Sequence, residues 1–339
     1  MLQAIMYGAG DLRLEERPLD VDSLAPDQVY VETEVSALST GTDLGNFEGR
    51  SREVPDAPDY PRGVGYSNVG RVLRAGKDVT QLQPGQRVFS MRPHLSAFIA
   101  QKDELLVPVP EGVSSEQASL GYLIELGVAA MRQAKYEAGE SIAVVGLGVI
   151  GLSTVGIARA MGARVIAIAN AASRAECARR LGAHLALRSE EARSPADLSA
   201  VCGSDGADIV ILTANTWPAY RTSIDIARYG GRISILGFPG RAQPAPDFNP
   251  LDMKWLYGKQ LTLIGAGYAP RIDCAPAAIR FNLRRNMEYI FALMKTGELN
   301  LEPVISHRLP ATRMREAYDL AHAHSKDLVA AVFDWRNLT

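Results

Sequence analysis

The sequence predicts an α/β protein of two domains, one compact and β-rich, the other a doubly wound parallel sheet. Three observations predict it. The chain has 339 residues, more than the roughly 100 to 200 of one ordinary domain. Up to about residue 110, short alternating runs are punctuated by Gly and Pro. From about Ser115 the period turns helical, and apolar strands then alternate with helices in the order that builds a parallel sheet covered on both faces.

Taken along the chain, VYVETEVSAL, SNVGRVLRAG, GQRVFSM and SAFIAQKDELLVPVP read as strands of the first domain. Next come IAVVGLG, ARVIAIAN, DIVILTAN, GRISILGF and LTLIGAG, the buried strands of the second, each separated from the next by a helical stretch. The tail mixes a helix (NLRRNMEYIFALMKTGELN), a strand (LEPVISHRLP), a further helix and a last strand (LVAAVFDW).

Composition excludes several classes. With 47% hydrophobic and 22% charged residues the chain is globular, and 36 Lys and Arg against 38 Asp and Glu leave no positive excess for nucleic acid or an anionic membrane. Cys177, Cys202 and Cys274 build neither a disulfide framework nor a cysteine-rich zinc lobe, which fits a reducing cytoplasm, and nothing in MLQAIMYGAGDLRLEERP reads as an export signal. The uncharged run 141–158 has the length of a short membrane span, but four glycines interrupt it and a second strand follows at once. No membrane association is expected.

GLGVIG at 146–151 follows the strand SIAVV and opens a helix, the context that gives such a match meaning. Gly146 permits the tight turn, Gly148 lets the backbone approach a pyrophosphate, and Gly151 allows close packing of helix on strand. Leu147 lies between them, and the N–H groups of Val149 and Ile150 face the phosphates. About 20 residues past the first glycine an NAD site places a carboxylate. Ala169 stands there, and Asn170, Ser173 and Arg174 follow with groups that donate to a 2′-phosphate, so NADP(H) is the expected cofactor. Alternatively Arg174 is a solvated residue at a helix start.

VSALSTGTD, GVGYSNVGRV, PGQRVF, LVPVPEGV, the glycine-rich turn, the strand ends Thr213-Ala214-Asn215 and Leu236-Gly237-Phe238, and VISHRLP with AYDL together resemble the medium-chain dehydrogenase/reductase family over nearly the whole chain. That resemblance implies a GroES-like catalytic domain (1–120 and 299–339), a Rossmann domain (121–298), an active site in the cleft between them, a small-molecule substrate, and a homodimer or homotetramer. It also assigns Thr213, Ala214, Leu236, Gly237 and Phe238 to the cofactor site. In the zinc enzymes of the family, the catalytic metal ligands fall by motif position on Thr40, Tyr66 and Glu125 of this chain. Zinc requires thiolate, imidazole or carboxylate ligands, and one carboxylate is too few, so no metal is expected. Zinc-independent branches are similar: the bacteriochlorophyllide dehydrogenases share a Ser-Thr-Gly-Thr turn, and the quinone and enone reductases a loop like GVGYSNVG.

Without zinc, the protein's share is to orient the nicotinamide and to stabilise charge on the substrate oxygen. Thr42 holds the place of the family's proton-relaying hydroxyl, or else stabilises the turn. The Tyr66 phenol donates to a carbonyl oxygen, or its ring fills the volume zinc leaves. Thr40 belongs to the same loop. Glu125 accepts a proton if desolvated, or pairs with an arginine. His94 suits proton transfer or is structural. Asp43 braces the turn through backbone N–H groups, and Trp255 and Tyr257 shape either a pocket or a subunit interface. The expected activity is hydride transfer between NADP(H) and a carbonyl or secondary alcohol of a medium-sized, largely apolar substrate; the rivals are reduction of a conjugated C=C and a non-catalytic redox sensor.

Overall fold

The computed structural model describes residues 1–50, 59–241, 243–267, 269 and 280–338, so Cys274 lies outside the described residues. The chain forms two compact units, Met1–Tyr122 with Met287–Thr296 and Ile305–Thr339, and Leu123–Asn286 with Gly297–Val304.

In the first unit the strand Gln28–Ala37 is the organiser. Its alternate residues Val29, Val31, Thr33 and Val35 are buried, as a strand with one face on a core requires. It pairs antiparallel with Asn68–Ala75, Ala97–Gln101 and Ala330–Asp334. The resulting seven-stranded sheet runs Ile305–Pro310, Ala330–Asp334, Gln28–Ala37, Asn68–Ala75, Arg87–Ser90, Val107–Pro108, with Ala97–Gln101 beside Gln28–Ala37. A small sheet of Asp11–Glu16, Leu2–Gly8 and Arg62–Gly63 stands apart. Met6, Leu38, Phe47, Val64, Tyr318 and Phe333 form one core and Val31, Val72, Val88 and Phe98 another.

The expected division put residues 287–296 with the nucleotide-binding domain, yet they belong to the first unit. The reason lies in their buried stripe of Met287, Ile290, Phe291 and Met294 at helical spacing. Phe291 packs on Phe89, ring centroids 6.3 Å apart. The STGTD segment differs from expectation as well: instead of a plain turn it enters a short helix, Thr42–Phe47.

The second unit carries a six-stranded, all-parallel sheet. Its order is Leu185–Arg188, Arg164–Ala169, Ser141–Val145, Ala207–Leu212, Ala227–Ile235, Thr262–Gly265. Ser141–Val145 is buried throughout, as a central strand covered on both faces must be. In chain order the strands are added outward from Ser141–Val145, first on one side with Arg164–Ala169 and Leu185–Arg188, then on the other with Ala207–Leu212, Ala227–Ile235 and Thr262–Gly265. That reversal opens a crevice between the carboxyl ends of Ser141–Val145 and Ala207–Leu212, where such sheets bind ligands.

Candidate functional site

The glycine-rich turn lies at that crevice. Gly146 has φ +95°, and a Cβ there would meet Ala214 at 2.7 Å. At Gly151 a Cβ would come within 1.9 Å of the Gly146 carbonyl oxygen, so the helix can sit this close to the turn only without a side chain. Gly148 is exposed, and a Cβ on it would meet nothing within 4 Å. The helix Val149–Ala160 starts on Gly148 with no side-chain cap, which leaves its first amides for a ligand. The Thr213 hydroxyl donates to the Gly146 carbonyl at 2.6 Å and fixes the turn from the neighbouring strand. Gly237 approaches Ala214 so closely that a Cβ would meet its carbonyl oxygen at 2.5 Å, while the Phe238 ring is exposed.

Beyond the second strand, Asn170 and Ser173 are exposed at the start of the helix Ala172–Arg180. Arg174, half-buried, reaches back so that its guanidinium lies 3.5 Å from the Leu147 carbonyl oxygen. A cation therefore stands over the glycine-rich turn, with an amide and a hydroxyl beside it and no carboxylate at Ala169.

In the first unit the Tyr66 phenol donates to Ser39 Oγ, and the hydroxyl of Thr42, at the exposed start of the short helix, also favours the ionised phenol. Asp43, fully buried, holds the arrangement: Oδ2 accepts from the Ser39 N–H at 3.0 Å and Oδ1 from the Gly65 N–H at 3.1 Å. One carboxylate thus ties the loop before Tyr66 to the STGTD segment. Tyr66 stands edge-on to Tyr122, centroids 5.3 Å apart. Burial and then the Asp43 carboxylate push its phenol up to about 12, against the opposing pull of Ser39 and Thr42. Thr40 is half-buried in the same segment.

His94 is in a different position. It is wholly buried, with Nδ1 2.8 Å from Ser36 Oγ, which also accepts from Trp335 Nε1 at 2.9 Å, and its ring is edge-on to Phe333. Its Nε2 lies 3.8 Å from Asp43 Oδ2. The histidine is thus buried behind the carboxylate, out of contact with solvent, with its Nε2 making no hydrogen bond.

Glu125, in the second unit on the helix Gly121–Gln133, is fully buried. Its Oε1 accepts from Asn286 Nδ2 at 2.7 Å, while Glu125 Oε2 and Asn286 Oδ1 have no hydrogen-bond partner. Two buried acceptors left bare on one pair are what a single proton shared between them satisfies. Desolvation lifts the carboxyl to about 7, opposed by Asn286, the Ala269 backbone and Arg132. No pattern in the sequence marks Asn286, which is 161 positions from Glu125. Ser39, in contrast, lay in plain sight beside Thr40 and Thr42.

Among the described residues no group of three His, Cys, Asp or Glu side chains is arranged to hold a metal. At the places of the family's ligands the chain offers a threonine hydroxyl, a phenol that donates to Ser39 and a carboxyl bonded to Asn286. That donor chemistry does not fit zinc.

Residues 149–282 match the zinc-binding dehydrogenase family and residues 25–128 the alcohol dehydrogenase GroES-like domain. D-guloside 3-dehydrogenase of Shigella flexneri is 26% identical over 319 residues, 87% of this chain and 89% of that protein. The structure of galactitol-1-phosphate dehydrogenase from Escherichia coli is similar at TM-score 0.82 and 18% identity, covering 98% of this chain and 100% of the other. That of 2R,3R-butanediol dehydrogenase from Bacillus subtilis gives TM-score 0.78 at 19% identity, covering 98% and 99%. No helix among the described residues is long and apolar enough to cross a membrane.

Proposed function

We propose that this chain, which belongs to the zinc-type alcohol dehydrogenase family of the medium-chain dehydrogenase/reductase superfamily and is an oxidoreductase of the polyol and alcohol dehydrogenase type, uses NADP(H) and works without a catalytic metal. The reaction is hydride transfer between the nicotinamide and a carbonyl or secondary alcohol. The relative's guloside substrate points to a hydroxylated compound of sugar or polyol kind, more polar than the apolar substrate the sequence alone suggests.

The observation that carries the metal-free reading is the Tyr66 phenol, at one of the family's ligand positions by motif, donating to Ser39 beside a buried Asp43 that holds the Ser39 and Gly65 amides. The nicotinamide, when bound, supplies or takes the hydride. This chain's residues do the rest. Val149 and Ile150 amides and Gly148 hold the pyrophosphate. Asn170, Ser173 and Arg174 hold the 2′-phosphate. Tyr66 and Thr42 bond the substrate oxygen and stabilise the charge that develops there, while Glu125 keeps a proton in the second unit.

Leu251, Met253 and Tyr257 are exposed at 61%, 73% and 80% of their surface, beside the terminal strand Thr262–Gly265. Such a patch supports a homodimer or homotetramer, to be checked by light scattering of the eluted protein. Trp255 itself is buried against Phe248, which makes it core. The cysteine usage supports a cytoplasmic location.

The test is metal analysis together with activity. Purified protein should hold far less than one zinc per chain and keep its NADPH-linked activity in the presence of a strong chelator. Stoichiometric zinc with activity lost on chelation refutes the metal-free reading.

A further inference from the structure

We infer that Ser39 is a positioning residue for the Tyr66 phenol, its buried hydroxyl accepting the phenol proton at rest and donating to the phenolate oxygen once that proton has gone to substrate. The inference rests on the metal-free reading of the same cluster and deepens it. Four observations carry it. First, Ser39 is only 3% exposed, so the bond it makes with Tyr66 does not compete with bulk water. Second, both partners are placed by one buried carboxylate, since Asp43 takes the Ser39 amide on one oxygen and the amide of Gly65, the neighbour of Tyr66, on the other. Third, Gly65 has φ +87°, and a Cβ there would meet the His94 ring at 2.6 Å. The loop therefore presses on a histidine that Ser36 and Trp335 lock from behind. Fourth, Thr42, whose hydroxyl also favours the ionised phenol, is exposed to solvent.

The chemistry follows from that layout. In carbonyl reduction the Tyr66 O–H bond breaks as the substrate oxygen takes the proton, the hydride for carbon being what a bound NADPH would supply. The charge left on the phenol oxygen is met by the Ser39 and Thr42 O–H groups, which turn from bystanders into donors. Solvent then returns a proton by way of exposed Thr42. Burial and Asp43 make this phenol a reluctant acid, and Ser39, the buried partner that accepts from it, is one of the groups that oppose them.

The experiment replaces Tyr66 by 3,5-difluorotyrosine, whose more acidic phenol brings the titration into the range the fold tolerates, and follows its fluorine resonance against pH. Against that parent, Ser39→Ala should raise the midpoint by about one pH unit, and Ser39→Thr, which keeps the hydroxyl, should bring it back. With NADPH and the carbonyl probes diacetyl and D-fructose, Ser39→Ala in the native chain should lower kcat about tenfold to a hundredfold with KM little changed. A midpoint unmoved by Ser39→Ala overturns the inference, whatever the activity. A raised midpoint restored by Ser39→Thr supports the pairing even where neither carbonyl is turned over, and in that case it is the carbonyl-reducing reading that falls.

Discussion

Replacing Glu125 by glutamine tests whether the buried carboxyl carries a proton in the native protein. The pair it forms with Asn286 has one hydrogen bond made and two oxygens bare. An ionised carboxylate leaves a buried charge with one oxygen unpartnered, whereas a neutral acid carries an O–H that can donate to an acceptor such as Asn286 Oδ1. Glutamine does the same with an N–H. Moving the carboxyl from its ordinary value near 4.5 to about 7 corresponds to about 3 kcal/mol, at about 1.36 kcal/mol for each tenfold change in proton affinity. The sign follows from linkage: the folded state binds the proton more tightly than the unfolded chain, so this contribution is fully present below pH 4.5 and is lost as pH rises through 7. Wild type minus Glu125→Gln should therefore fall by about 3 kcal/mol between those limits and stay level above. The variant should be the more stable protein at pH 8. The assay is urea unfolding of both proteins at half-unit steps from pH 4 to 8.5, taken as a difference so that the other titrating groups cancel. A difference that does not change with pH, or a variant weaker than wild type by the same amount at pH 8 as at pH 5, refutes the argument and makes Glu125 an ionised partner of Arg132.

Three further outcomes test the rest of the site. Arg174→Ala should weaken NADPH binding about tenfold to a hundredfold and NADH binding hardly at all, measured by fluorescence titration; equal losses for the two contradict the 2′-phosphate assignment. Gly151→Ala sets a Cβ 1.9 Å from the Gly146 carbonyl oxygen, so it should cost about 1 to 3 kcal/mol of stability and most dinucleotide affinity, whereas Gly148→Ala, with open space about it, should fold normally and lose affinity alone. Tyr66→Phe keeps the ring against Tyr122 and deletes the donor, so turnover should drop about a hundredfold to a thousandfold with KM nearly constant; unchanged turnover reduces Tyr66 to packing.

What the sequence revealed and what it hid divide along a physical line. Gly146 and Gly151 were legible because what they do is local: Gly146 has φ +95° and Gly151 lies against the Gly146 carbonyl oxygen, and the spacing alone records both. The parallel sheet was legible because strands buried on both faces leave uninterrupted apolar runs such as SIAVV. Asn286 was hidden because its bond to Glu125 joins residues 161 positions apart, and no periodicity marks a side chain chosen for one distant partner. His94 stood between two readings for a related reason. Its residue type suits proton transfer as well as it suits a buried wedge, and only the enclosure by Ser36, Trp335 and Phe333 decides between them. Ser39 is the instructive case, since nothing in STGTD distinguishes its hydroxyl from those of Thr40 and Thr42. The bend into the helix Thr42–Phe47 settles that, turning Thr42 outward while the Asp43 carboxylate draws the Ser39 amide in. One buried aspartate takes the Ser39 amide on one oxygen and the Gly65 amide on the other, so it is the residue whose replacement should scatter the whole cluster.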